Sequence, residues 1–87
     1  MYTLAPHIST TDTDYGTVLL DEERGKYWNL NPSGSLILKA VLRGGDAISV
    51  VLSEFEAKAE EVESDVEQLV GALVSAGILI PSGAGHV

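Results

Sequence analysis

The sequence predicts an α+β fold: a three-stranded antiparallel sheet followed by three helices, arranged like a winged helix-turn-helix. Three observations point there. β-Branched and aromatic segments separated by turn signals fill the first thirty residues. Apolar residues then recur at helical spacing as far as Val74. And 87 residues suffice for one domain only, with strands before helices, the order of a sheet covered on one side. Residues 1–81 are expected to form that domain and 82–87 a loose tail.

The first strand is expected at Tyr2-Thr3-Leu4-Ala5, with His7-Ile8-Ser9 continuing it past Pro6 as an edge strand, where proline is tolerated. Thr10 to Tyr15 reads as polar turn. Gly16-Thr17-Val18-Leu19-Leu20 is the second strand, and the charged turn Asp21 to Gly25 leads to the third, Lys26 to Leu30. Asn31 then has a side-chain oxygen able to cap a helix. Pro32 suits the first helical position because its missing N–H has no helical partner there.

Leu36, Ile37, Ala40 and Val41 form one face of that helix, and Gly44-Gly45 ends it in the left-handed conformation that glycine adopts cheaply. Asp46 is the next cap, followed by Ile48, Val51, Leu52 and Phe55 at i, i+3, i+4, i+7. Ala57 to Glu63 reads either as a helical linker or as the start of the third helix. Ser64-Asp65-Val66-Glu67 fits a capping box, with Val62 either a hydrophobic staple before it or part of the helix itself. Val66, Leu69, Val70, Leu73 and Val74 give the third helix an apolar stripe, Gly77 stops it, and Ile78-Leu79-Ile80 is a short extended segment returning to the core.

Composition excludes several functions. The net charge of −8 is uneven: residues 1–43 carry five acids and four bases, residues 44–87 eight acids and only Lys58. Nucleic-acid binding needs a basic face to displace counterions from phosphates, so neither DNA nor an anionic membrane surface is an expected partner. There are no cysteines, so disulfides, thiolate metal sites and cysteine catalysis are out, and a cytoplasmic location is the expectation. No apolar run approaches the roughly 18–20 residues that span a bilayer.

Chemistry is equally sparse. His7 and His86 sit at opposite ends and make no metal set, His7 being read as a structural or surface residue. No serine stands in a nucleophile elbow, and Glu60, Glu61, Glu63, Asp65 and Glu67 lack the alternate spacing and glycine turn of a calcium loop. No catalytic residue, metal or cofactor is expected. What remains is the third strand. Two-residue alternation puts Trp28 and Leu30 on one face, the core side, and Tyr27 and Asn29 on the other. Lys26 to Leu30 is either an ordinary core strand or an edge open to a guest peptide.

The residues themselves resemble a known family. Lys26-Tyr27-Trp28-Asn29-Leu30-Asn31, Gly34, Leu36-Ile37-Leu38 and Gly44-Gly45 resemble the aromatic-x-Leu-Asn-x-x-Gly block of PqqD-like proteins. Asp65-Val66, Leu69-Val70, Leu73 and Ala76-Gly77-Ile78-Leu79 resemble that family's later helix. The likeness covers residues 2–80 and is strongest to the stand-alone B-type proteins of lasso-peptide biosynthesis.

That resemblance implies a non-catalytic recognition element for the leader of a ribosomally made, post-translationally modified peptide (RiPP). The leader, of Tyr-x-x-Pro type, would add as a strand to the third strand in the groove against the third helix. Strand addition draws affinity from main-chain hydrogen bonds and specificity from pockets for alternate side chains. Carried over by position, Lys26, Tyr27, Trp28, Asn29 and Leu30 would hold the guest, and Asp65, Val66, Leu69, Val70 and Leu73 would supply the opposite wall. Tyr27 and Asn29 are the better groove candidates, some of the helix residues face the core instead, and Glu63 or Glu67 at the groove mouth would call for a basic residue in the leader. Further partners implied are a leader peptidase of cysteine-protease type and a macrolactam synthetase. The alternative is a small acidic adaptor that binds a folded protein partner.

Overall fold

In the computed structural model, residues 2–54 and 58–81 are described. They form β1 (Tyr2–Leu4), β2 (Ile8–Thr13), β3 (Gly16–Asp21), β4 (Lys26–Leu30), α1 (Pro32–Leu42), α2 (Ala47–Glu54), α3 (Ala59–Ser75) and β5 (Leu79–Pro81). A three-stranded antiparallel sheet runs β2-β3-β4, as the sequence predicts. Its first strand is not the predicted one. Thr10 to Thr13 lie in β2, paired Thr10↔Leu19 through Thr13↔Gly16, which leaves Asp14 and Tyr15 as the turn. The threonines are exposed, so their polarity hid a strand that their β-branching favours. Tyr2–Leu4 stands outside this sheet and pairs instead with β5, Tyr2↔Pro81 to Leu4↔Leu79.

Sequence alternation is sharpest in β3, where Thr17, Leu19 and Asp21 point inward. Leu19 joins Ile8, Leu30, Leu38, Leu73, Ile78 and Leu79 in one core cluster. Ile37, Ala40, Ala47, Val51 and Val62 make a second. Helix α1 bridges them, since its neighbours Ile37 and Leu38 enter different clusters, and Leu69 and Val70 of α3 pack against both.

The helix ends follow local chemistry. Asn31 Oδ1 accepts from the Gly34 amide at 2.8 Å, with Pro32 in the first turn. Gly44 closes α1 at φ 74°. Asp46 Oδ1 accepts from the amides of Ile48 and Ser49 at 3.1 and 3.2 Å. The Ser49 hydroxyl, donating to Oδ2, is the main cause of an Asp46 carboxyl held below its ordinary range.

Two expectations fail. Ser64 caps nothing: α3 begins at Ala59, with Lys58 at the cap position, because Val62, 2% exposed, already belongs to the second core. Burying Val62 rewards an earlier start, and Glu60 and Glu61 suit the positive end of the helix dipole. Leu52 is 37% exposed, burial in α2 falling on Ala47 and Val51, while Phe55 and the tail 82–87 lie outside the described residues.

A buried polar tie fastens the sheet to α1. The Thr17 and Ser35 hydroxyls meet at 2.5 Å, Thr17 also donates to Asp12, and Lys39 Nζ lies 3.2 Å from Asp12 Oδ2. The Lys39 contact, then Thr17, holds the Asp12 carboxyl below its ordinary range. Beside this tie sits Gly16 at φ 137°, where a Cβ would fall 1.8 Å from the Leu30 carbonyl oxygen. Gly16→Ala should therefore lower the unfolding free energy by at least about 2 kcal/mol, through strain plus displacement of Leu30. A lower urea midpoint would show it, and an unchanged midpoint would contradict the close approach.

Candidate functional site

β4 is an outer strand of its sheet, and its far edge has no strand partner among the described residues. Its side chains divide as alternation requires. Leu30 is buried and Trp28 half-buried against the first core, whereas Tyr27 is 66% exposed and Asn29 faces solvent. Such an edge offers a row of backbone donors and acceptors that a guest strand can satisfy.

A cleft of about 340 Å³ opens where β4 ends. Asn29 and Leu30 supply one side, Asn31, Ser33, Gly34 and Ile37 the floor, and Asp65 and Leu69 of α3 the opposite wall. The Asn31 cap orients that floor. Its Oδ1 is committed to the Gly34 amide and to the Ser33 hydroxyl, at 2.8 and 2.9 Å. Backbone N–H can only donate, so the oxygen is fixed and the Nδ2 amide is left without a partner among the described residues. At Gly34 an added Cβ would crowd the cap itself, 3.2 Å from Asn31 Oδ1, while Leu69 Cδ2 of α3, at 3.6 Å, would be in ordinary contact.

Of the ten residues expected from the sequence, this cleft gathers Asn29, Leu30, Asp65 and Leu69. Lys26 and Tyr27 lie exposed along the same strand, and Trp28 packs inward. Val66 and Val70 follow Asp65 and Leu69 by one residue each, hence point roughly 100° away around the helix. They line a separate cleft of about 670 Å³ between α3 and the α1–α2 junction. Leu73 is 1% exposed and belongs to the core. Glu67 lines the larger cleft, so Asp65 is the one carboxylate among the described residues lining the cleft beside β4.

The floor residues Asn31, Ser33, Gly34 and Ile37 were not anticipated as site residues, because the same signals read fully as a helix start. The glycine in the first turn of the helix is the signal available, since an added Cβ there would crowd the Asn31 cap. Nothing in either cleft makes a catalytic set. His7 stands at the far end of the sheet, its Nδ1 3.6 Å from Glu23 and its Nε2 3.9 Å from Asp21. No group of three metal-ligating side chains occurs among the described residues, and no helix there is long and apolar enough to cross a membrane.

Comparison with known proteins follows the same lines. The family described as coenzyme PQQ synthesis protein D (PqqD) matches residues 16–79. The structure titled lasso peptide synthetase B1 complexed with the leader peptide is 37% identical, covers 92% of this chain and 98% of its own, and superposes with a TM-score of 0.82. TbiB1 in complex with the TbiA(beta) leader peptide shares the fold at 22% identity, covering 98% of each chain with a TM-score of 0.77. No curated protein matches. Replacing the cap, Asn31→Ala, should cost about 1 kcal/mol of stability in urea unfolding. No loss would mean that Asn31 does not anchor the floor.

Proposed function

Because this chain belongs to the PqqD family, we propose that it is a leader-recognition element, binding the leader of a ribosomally made lasso-type precursor as an added strand on β4. The observation that carries this is the open β4 edge beside a cleft of mixed polar and apolar lining, in a chain 37% identical to a B1 protein solved with its leader peptide. Backbone pairing along Lys26 to Leu30 supplies affinity for an extended guest. One apolar side chain of that guest enters the cleft over Leu30, Ile37 and Leu69. Asp65 on the wall favours a lysine or arginine next to it, so binding weakens as salt rises.

The role is non-catalytic. The module holds the leader, of Tyr-x-x-Pro type, and presents the precursor to a separate cysteine-type leader peptidase and to a macrolactam synthetase, in the cytoplasm. Residues 1–81 carry this function.

Fluorescence anisotropy of a labelled leader from the same gene cluster tests the reading. The protein binds it, and replacing the leader's Tyr and Pro by Ala, or the exposed Asp65 by Lys in the protein, weakens binding by about tenfold or more. Leu73 is no substitute as a probe, since truncating a fully buried leucine costs about 2–5 kcal/mol and endangers the fold itself. A folded protein that ignores the unmodified leader would overturn the proposal.

A further inference from the structure

The sheet has two faces, and the helices cover one of them. Leu19 and Leu30 lie in the first core on the covered side, whereas Val18 and Leu20, both half-buried, join neither core cluster. On the uncovered side the apolar character rises toward the open edge. The register places Ser9, Thr11 and Thr13 of β2 there, then Val18 and Leu20 of β3, then Tyr27 of β4, 66% exposed. A sheet face in water is ordinarily polar, as β2 is. Tyr27 stands directly opposite Leu20, so it has an apolar neighbour on its β3 side and, among the described residues, no strand beyond it.

The backbone decides where an added strand sits. The Glu22 amide donates to the His7 carbonyl at 2.9 Å, and Ile8 lies opposite Asp21. In an antiparallel ladder, residues that bond to one neighbouring strand alternate with residues that face away from it. Even-numbered residues of β3 therefore bond to β2, and Thr17, Leu19 and Asp21 turn their N–H and C=O groups toward β4. The Gly25 amide, donating to the Asp21 carbonyl at 2.7 Å, agrees with that parity. Opposite those three stand Leu30, Trp28 and Lys26, whose backbone groups are thereby used. Tyr27 and Asn29 are left to offer theirs to the open edge.

A guest strand held by Tyr27 and Asn29 is fixed in register. Directly opposed residues share a face, with Cβ atoms about 4.5–5.5 Å apart. The guest residue opposite Leu30 therefore projects on the cleft side, and the one opposite Tyr27 on the uncovered side. Leu30 and Tyr27 are three positions apart, an odd number, so these two guest residues lie on opposite faces of the added strand.

We propose that Tyr27, backed by Leu20, is a second subsite that takes an apolar or aromatic side chain of the guest, three residues from the one in the cleft. The proposal rests on strand addition to β4 and extends it: the leader is read on both faces of the sheet. Tyrosine suits the place, since its ring gives a rigid apolar surface while its hydroxyl stays in water.

Anisotropy titrations of the labelled leader from the same gene cluster, with an alanine scan of that leader, compare the natural chain with Tyr27→Thr, Tyr27→Phe and Asp65→Lys. Tyr27→Thr should weaken binding by about fivefold or more, and Tyr27→Phe, which keeps the ring, should recover all but about twofold of that loss. Threonine keeps strand propensity at an exposed site, so the melting temperature should move by less than about 4 °C. One leader position should lose its alanine effect in Tyr27→Thr, as a residue in direct contact does. A second sensitive position, three residues from it, should keep its effect there. Leader affinity unchanged in Tyr27→Thr, with Asp65→Lys impaired, overturns the subsite and leaves strand addition standing. Sensitive leader positions confined to even spacings place every anchor on one face and overturn it as well. A folded natural chain that ignores the leader overturns both readings.

Discussion

The structure turns on the junction where β4 becomes α1. Leu30 ends the strand, Asn31 caps the helix, and Gly16 lies so close that a single methyl group would overlap the Leu30 carbonyl. Four residues later, a Cβ at Gly34 would crowd the Asn31 cap and make ordinary contact with Leu69 of α3. The strand end and the start of α1 are therefore held together by close backbone approach, and α3 joins them through side chains such as Leu69 and Val70. A peptide-binding groove needs that rigidity, because a guest strand must find donors and pocket in register together. The Thr17–Ser35 hydroxyl contact adds a buried polar tie between β3 and the first turn of α1, and such ties specify one arrangement when fully satisfied.

Helix α3 shows how a small chain divides its surface. Val62 and Leu73 are buried, and from that line the helix turns Asp65 and Leu69 toward β4, Val66 and Val70 toward α2. An 87-residue domain has too little interior for a closed cavity, so its sites are clefts at the borders between elements. The acidic character of this half of the chain is spread around those borders. Such a surface disfavours the phosphate backbone of nucleic acid.

Much of this is legible in the sequence. Asn31-Pro32, Gly44-Gly45, Asp46 and Gly77 punctuate the helices where local chemistry demands, because caps and left-handed turns depend on a few neighbouring atoms. The limits of β4 followed from its aromatic and β-favouring residues between Gly25 and Asn31. What escaped were features decided at a distance. Thr10 to Thr13 look polar because β2 is exposed, not because they turn. Ser64 resembles a cap, yet the burial of Val62 starts the helix earlier. The apolar stripe of α3 reads as one face, but it is split between a core and two clefts by partners that only the tertiary fold brings near. Ser33, Gly34 and Ile37 entered the cleft for the same reason.

Amide hydrogen exchange, resolved residue by residue with and without the leader peptide, tests the central claim most directly. Strand addition predicts that outward-facing amides within Lys26 to Leu30 gain protection when leader binds, while amides around Gly71 and Ile48 do not. Protection that appears around Gly71 and Ile48 and leaves β4 unchanged would contradict it, placing the leader on the other side of α3.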